Sequence, residues 1–317
     1  MATVESVNGP VETDELGTTL IHEHFRFRDE GAAFQWPHLY DEADEIEKAV
    51  ADARAVMSHG VKTVVDPNAM TGSRDARFSQ RIADETGIQI ILATGVYTYE
   101  HLPQVLQNRD EDAIADIFVH DIEEGIQGTD VKAAFIKTAC DAPGMVPGVE
   151  KLHRAAARAS KRTGVPIMSH SQPSSGTGLE QIRVFEEEGM DLSKVQIAHT
   201  GDTDDLDYIQ KLLDKGVWIG MDRYGLDLFL PTDKRNATVL ALLERGYAER
   251  MFLSQDFCST LDWFPPEVQE ALKANEVPEW SMTMLFESVI PHLKENGMTD
   301  DQLETMLVDN PRRWLSG

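Results

Sequence analysis

Eight short, β-prone apolar runs recur along the chain, near residues 18–21, 63–65, 88–93, 133–136, 166–168, 195–198, 217–221 and 251–253. Their centres lie roughly 22 to 45 residues apart, room for one strand, one helix and two loops in each interval. The intervals carry helical periodicity. Ile46, Ala49, Val50, Ala53, Val56 and Met57 repeat at spacings of three and four, with charged residues between them. Residues 149–162, 178–188, 206–214 and 236–244 follow the same pattern. Four times a glycine (Gly60, Gly87, Gly164, Gly216) stands between a helical stretch and the next apolar run, the usual way to stop a helix. Parallel strands need crossover helices, so this repeat predicts an α/β fold, a (β/α)8 TIM barrel. A doubly wound open sheet is the rival, but neither GxGxxG nor GxxxxGK[ST] is present. No linker or low-complexity tract divides the chain, which predicts one domain over residues 1–317.

Charge narrows the partners. With 29 Lys+Arg against 55 Asp+Glu, the formal net charge is −26. Such a chain repels phosphate backbones and anionic headgroups, so neither nucleic acid nor a membrane is an expected partner. The acids cluster at 41–47, 110–112 and 202–205, where they read as helix N-terminal turns. Two distant cysteines, Cys140 and Cys258, form neither a disulfide framework nor a CxxC metal site. The N-terminus lacks the pattern of a signal peptide, and no apolar run approaches the ~20 residues of a membrane span. A cytoplasmic protein is expected.

In a (β/α)8 barrel the chemistry gathers at the C-terminal ends of the strands. Those positions hold His22 and His24 after the first run, Lys137 after the fourth, His170 after the fifth, His199 after the sixth and Asp256 after the eighth. Each has an ordinary reading alone: a satisfied polar histidine, a solvated lysine, a loop or capping acid. A His-x-His pair on a strand places both imidazoles on one face. Together, histidine and carboxylate suit zinc, cobalt, manganese or iron. A protonated lysine would repel such an ion. It fits if its amine has reacted with CO₂ to give a carbamate, whose two oxygens can bridge a metal pair.

This arrangement resembles the phosphotriesterase family of the amidohydrolase superfamily, and more closely its lactonase-like branch. The resemblance runs through Gly17-Thr18-Thr19-Leu20-Ile21-His22-Glu23-His24, Gly95-Val96-Tyr97-Thr98-Tyr99 and Phe135-Ile136-Lys137. It continues in Ile197-Ala198-His199-Thr200-Gly201-Asp202, Asp222-Arg223-Tyr224-Gly225-Leu226-Asp227, Leu253-Ser254-Gln255-Asp256 and Asn310-Pro311-Arg312-Arg313. It implies two divalent metal ions, zinc first among the candidates. His22, His24 and Asp256 would hold one, His170 and His199 the other, and an N6-carboxylated Lys137 would bridge them.

The activity implied is the opening of lactone rings, N-acyl homoserine lactones foremost, by a metal-bridging hydroxide, with weak phosphotriesterase activity beside it. Asp256 would shuttle the proton, Tyr97 border the reacting carbonyl and Arg223 hold the substrate loop. Tyr99, Leu228, Phe229, Cys258 and Trp263 match substrate-contact positions, and Leu230 and Phe264 extend an apolar channel. The family also implies a homodimer. Gln255 departs from the histidine common in the branch before the aspartate. The alternatives are a phosphotriesterase proper, another cyclic ester or amide hydrolase, and a metal-containing binding protein on the same scaffold.

Overall fold

The computed structural model describes residues 2–317. An antiparallel hairpin of β1 (Thr3–Ser6) and β2 (Gly9–Glu12) comes first. Eight further strands follow: β3 (Thr18–Leu20), β4 (Val61–Asp66), β5 (Gln89–Gly95) and β6 (Phe135–Ala139), then β7 (Ile167–His170), β8 (Val195–Ala198), β9 (Trp218–Met221) and β10 (Met251–Leu253). They lie side by side in sequence order, and every pairing is parallel. The fold is a (β/α)8 barrel. Each predicted run became a strand; the hairpin is additional, too short and too polar to announce itself.

Alternation along the strands builds two cores. In β5, Ile90 and Leu92 face the helices while Ile91 and Ala93 face the barrel interior. Phe135, Met168, Ala198, Trp218 and Phe252 fill the same interior. Its floor is sealed by Trp314 from the C-terminal helix Asn310–Leu315, whose ring lies 5.6 Å from that of Phe135 and 6.0 Å from that of Phe252. Asn310, fully buried, pins that helix by donating to the carbonyls of Ala248 and Met251, both at 2.7 Å.

The helices follow their periodicity. Glu42–Ser58 buries Ile46, Ala49, Val50, Ala53 and Val56. Its acidic start is a cap: Asp41 accepts from the amides of Ala43 and Asp44. Asp110 and Asp205 cap Glu111–Glu123 and Leu206–Leu213 in the same way. Gly87 and Gly164 end their helices in the left-handed conformation that other residues adopt at a cost. Among the described residues no helix is long and apolar enough to cross a membrane.

The barrel closes in an unusual place. β3 and β10 share no ladder; the segments after them join instead. Asp256 N donates to His22 O at 3.1 Å, His24 N to Phe257 O at 2.7 Å, and Ser259 N to His24 O at 3.0 Å. The last bonds that shut the cylinder therefore run through the candidate site.

Replacing Trp314 with Ala removes the floor of the inner core. It should destabilise the protein by about 3–5 kcal/mol, read as a lower urea midpoint, with the barrel mouth left intact.

Candidate metal centre

Six side chains from five strand ends converge at the C-terminal mouth. Lys137 lies within β6, His170 ends β7, His199 directly follows β8, and Asp256 follows β10. His22 and His24 differ from expectation: β3 stops at Leu20, so the pair occupies the bent segment beyond it and not the strand. The rings still come together, 5.5 Å apart, because each is held separately by a carboxylate or amide. Lys137 is 1% exposed. Opposite it on β5, Gly95 is obligatory: a Cβ there would stand 2.0 Å from the Lys137 carbonyl oxygen.

Each histidine is anchored through one ring nitrogen. His22 Nδ1 meets Asp222 Oδ2 at 3.1 Å, and His199 Nδ1 meets Asp222 Oδ1 at 3.1 Å. His24 Nδ1 meets Asn68 Oδ1 at 2.9 Å, with Asp66 at 3.5 Å. His170 Nε2 meets Asp141 Oδ2 at 2.6 Å. For His22, His170 and His199, an acceptor on one nitrogen places the N–H there and leaves the lone pair on the other, the arrangement that prepares imidazole to bind a metal. The remaining nitrogens of His22 and His24 reach Asp256 Oδ1 at 3.4 and 3.0 Å. Lys137 Nζ lies 3.3 Å from His22 Nε2. His22, His199 and Asp256 each offer a ligand atom within 4.8 Å of the others. This tight group takes members from both of the sets that the resemblance assigns to separate ions. His170 stands at its flank, its ring 4.5 Å from that of His199 and its Nδ1 3.3 Å from the Tyr97 hydroxyl.

The electrostatics suit cation capture. Burial and the neighbouring Lys137 lower His22 to about 4, and burial lowers His170 to about 4, so both are neutral at pH 7. Burial also pulls on His24, but the Asp256 and Asp66 carboxylates prevail and raise it to about 9. Burial opposes ionisation of Asp256; His22, His199 and Arg223 overcome it and hold the carboxyl well below its usual range. Arg223 Nε donates to Asp256 Oδ2 at 2.8 Å and its Nη1 to Asp202 Oδ2 at 2.9 Å. Asp202 in turn accepts from Arg235 at 3.0 Å.

A cavity of about 380 Å³ opens onto this cluster. Tyr97, Arg223, Leu228, Phe229, Cys258 and Trp263 line it, together with His22, His24, Lys137, His199 and Asp256. Arg223 lies over the Phe229 ring at 4.5 Å. Tyr99 does not line it; its hydroxyl bonds that of Tyr97, so it supports the wall from behind. Gln255 points outward to the Met282 carbonyl, at 2.5 Å, so its departure from the family pattern leaves the centre untouched.

Several participants escaped the sequence reading. The anchors Asp66, Asn68, Asp141, Asp202 and Asp222 give no spacing signal, although Asp66 ends a strand and the others closely follow one. The helix Pro266–Glu276, which buries none of its residues, supplies Gln269 and Leu272 to the outer cavity wall. Glu23, between the two histidines, is fully buried; burial pushes its carboxyl up to about 8 against the pull of three hydrogen bonds.

Fold and site together define a barrel hydrolase with a histidine-rich candidate metal centre. The phosphotriesterase family profile matches residues 2–315, and the chain belongs to that family. It is 49% identical over 308 residues to an aryldialkylphosphatase of Saccharolobus solfataricus, covering 96% of this chain and 97% of the relative. It is 40% identical over 321 residues to a phosphotriesterase homology protein of Mycobacterium tuberculosis, covering 99% and 97%. A solved structure of the phosphotriesterase from Mycobacterium tuberculosis superposes with a TM-score of 0.94 at 40% identity, covering 99% of this chain and 98% of the other.

A metal entering at His24 must displace the proton held there below about pH 9. Chelator-stripped protein titrated with zinc at pH 7 should release about one proton from this residue, and apparent affinity should weaken about tenfold per pH unit as pH falls. His24→Asn should abolish that share of the release in a weakly buffered titration.

Proposed function

We propose that the chain is a metal-dependent lactonase that opens lactones bearing an apolar tail, N-acyl homoserine lactones among them. The observation that carries the hydrolytic reading is Lys137. Its amine is buried at the barrel mouth, and among the described residues no carboxylate lies within 4.0 Å of it. Burial lowers it to about 8 against the pull of Asp256 and Asp222. About a tenth is then neutral at pH 7, and only the neutral amine adds CO₂. The addition forms a C–N bond and releases one proton; with the proton already lost to give the neutral amine, two protons leave and a cation becomes an anion with two oxygen donors.

The residues present fit a metal pair: four imidazoles, each held through one ring nitrogen, a carboxylate and a lysine that carbamylation would make a donor. His22, His24 and Asp256 would hold one ion, His170 and His199 the other, with Lys137 shared. Bound there, divalent ions supply Lewis acidity toward a carbonyl oxygen and make water acidic enough to attack at neutral pH. Asp256, ionised at the centre, accepts the proton of the attacking water and returns it to the ring alkoxide as the lactone C–O bond breaks. Arg223 holds Asp256 by one oxygen and ties it to the loop carrying Phe229. The Tyr97 hydroxyl, kept protonated by burial, borders the carbonyl. Leu228, Phe229, Cys258 and Trp263 offer an apolar path for the tail.

Phosphotriester hydrolysis is the second reading. The 49% identical relative described as an aryldialkylphosphatase favours it, and a metal pair can hold a phosphoryl oxygen as well as a carbonyl oxygen.

The deciding experiment measures proton release from N-acyl homoserine lactones of graded chain length and from paraoxon, with zinc-loaded enzyme. The lactones should be favoured in kcat/KM by about tenfold or more. The reverse order supports the second reading, and no metal-dependent turnover of either sinks both. Lys137→Ala should abolish turnover, with partial return on adding a short carboxylic acid. Carbamate formation at a fixed concentration of dissolved ¹³CO₂, followed by NMR, should be faster at pH 8.5 than at 6.5, because the neutral amine fraction rises with pH through about 8.

A further inference from the structure

We propose that Glu23, which separates the two histidines of the His-x-His motif, is a positioning residue that fixes the backbone carrying Asp256. The inference rests on the hydrolase reading for Asp256 but not on which ester is cleaved.

Glu23 is wholly buried and reaches across the β3–β10 seam. Its Oε1 accepts from Ser254 Oγ and from Gln255 N, both at 2.8 Å, and its Oε2 accepts from Phe257 N at 2.8 Å. The two amides are those on either side of Asp256. Asp256 N itself donates to the His22 carbonyl at 3.1 Å. Three consecutive amides are thus taken up from one segment of the opposite side, and Glu23 takes two of them.

Fixing those peptide planes matters because Asp256 has a φ of 52°, in the left-handed region that costs a residue with a Cβ. Left to local preference, the segment would relax toward extended backbone and carry the carboxylate away from His24 Nε2 and Arg223 Nε. The groups around Glu23 are donors. Ser254 Oγ already accepts from His22 N at 3.1 Å, leaving its own hydrogen for Glu23. Both carboxyl oxygens are thereby occupied, Oε1 by two donors and Oε2 by one. Glutamine, of nearly equal volume, has one acceptor oxygen and would set an NH₂ group against an amide N–H. Among the described residues no lysine, arginine or histidine pairs with Glu23 within 4.0 Å, so its bonding is spent on this segment.

The test uses full-length, zinc-loaded protein and whichever ester the wild type turns over. Glu23→Gln should lower kcat about 10- to 100-fold with KM within about threefold, and Ser254→Ala, which removes one of the three bonds, should lower it less. Combined with Asp256→Asn, Glu23→Gln should add almost nothing, because its effect passes through that aspartate. Independently of turnover, the amides of Gln255 and Phe257 should exchange with deuterium at least about tenfold faster in both Glu23→Gln and Ser254→Ala, while amides of β6 and β7 keep their protection. If Glu23→Gln fails to fold, Ser254→Ala alone and with Asp256→Asn decides by the same criteria. Unchanged kcat and exchange, or losses that multiply with Asp256→Asn, would overturn the proposal. Faster local exchange in a protein that turns over no ester would leave the positioning role standing and count against the hydrolase reading alone.

Discussion

The constraint on which the rest depends is charge compensation inside the barrel mouth. Asp202, Asp222, Asp256, Lys137, Arg223 and Arg235 are drawn together there with little or no access to water. Removing such groups from water costs several kcal/mol each unless partners restore what hydration supplied. The partners are laid out as a chain: Asp256 to Arg223, Arg223 to Asp202, Asp202 to Arg235, with Arg235 also donating to backbone carbonyls. Lys137 is the member without a carboxylate. That single imbalance points to its chemistry, since a buried amine lacking a counter-charge is driven toward its neutral and reactive form.

The net charge of −26 belongs to another part of the molecule. Asp41, Asp110 and Asp205 cap helices, and pairs such as Glu150, Glu187 and Glu188 around Arg154 tie neighbouring helices on the outside of the barrel. These groups serve the scaffold and are screened by solvent. Function uses far fewer charges, all inward. A composition dominated by surface acids therefore says nothing about the reaction.

Much of this was legible in the sequence. Eight apolar runs with helical intervals specify the barrel because period-two and period-3.6 patterns bury different faces, and glycine marks where one gives way to the other. His22, His24, Lys137, His170, His199 and Asp256 stood out because chemistry clusters at strand ends. Their supports did not. Asp222 holds two histidines that precede it by 200 and 23 residues, and Asn68 holds one 44 residues before it. Such contacts are set by the closing of the cylinder and leave no local spacing to read. Pro266–Glu276 was silent for a different reason: a helix that lies over a cavity and buries none of its residues has no core stripe.

The position of His199 shows why strain belongs in this site. In β8, Ile197 faces the helices and Ala198 the interior, so regular alternation would send residue 199 outward. Its φ of 63° breaks the alternation and returns the imidazole to the centre. A left-handed non-glycine residue costs about 1–3 kcal/mol and persists only where its surroundings overdetermine it. Asp222 provides that here: one oxygen accepts both the backbone N–H of His199, at 2.8 Å, and its ring Nδ1, at 3.1 Å. The same carboxylate holds His22 through its other oxygen. Asp256 repeats the solution with Glu23. At both left-handed positions a buried carboxylate from another strand end binds the backbone and so aims the side chain, and each such carboxylate lies next to, or spans, candidate metal ligands. Barrel closure and site geometry are consequently one set of bonds, and a change that loosens the seam between β3 and β10 must also loosen the centre.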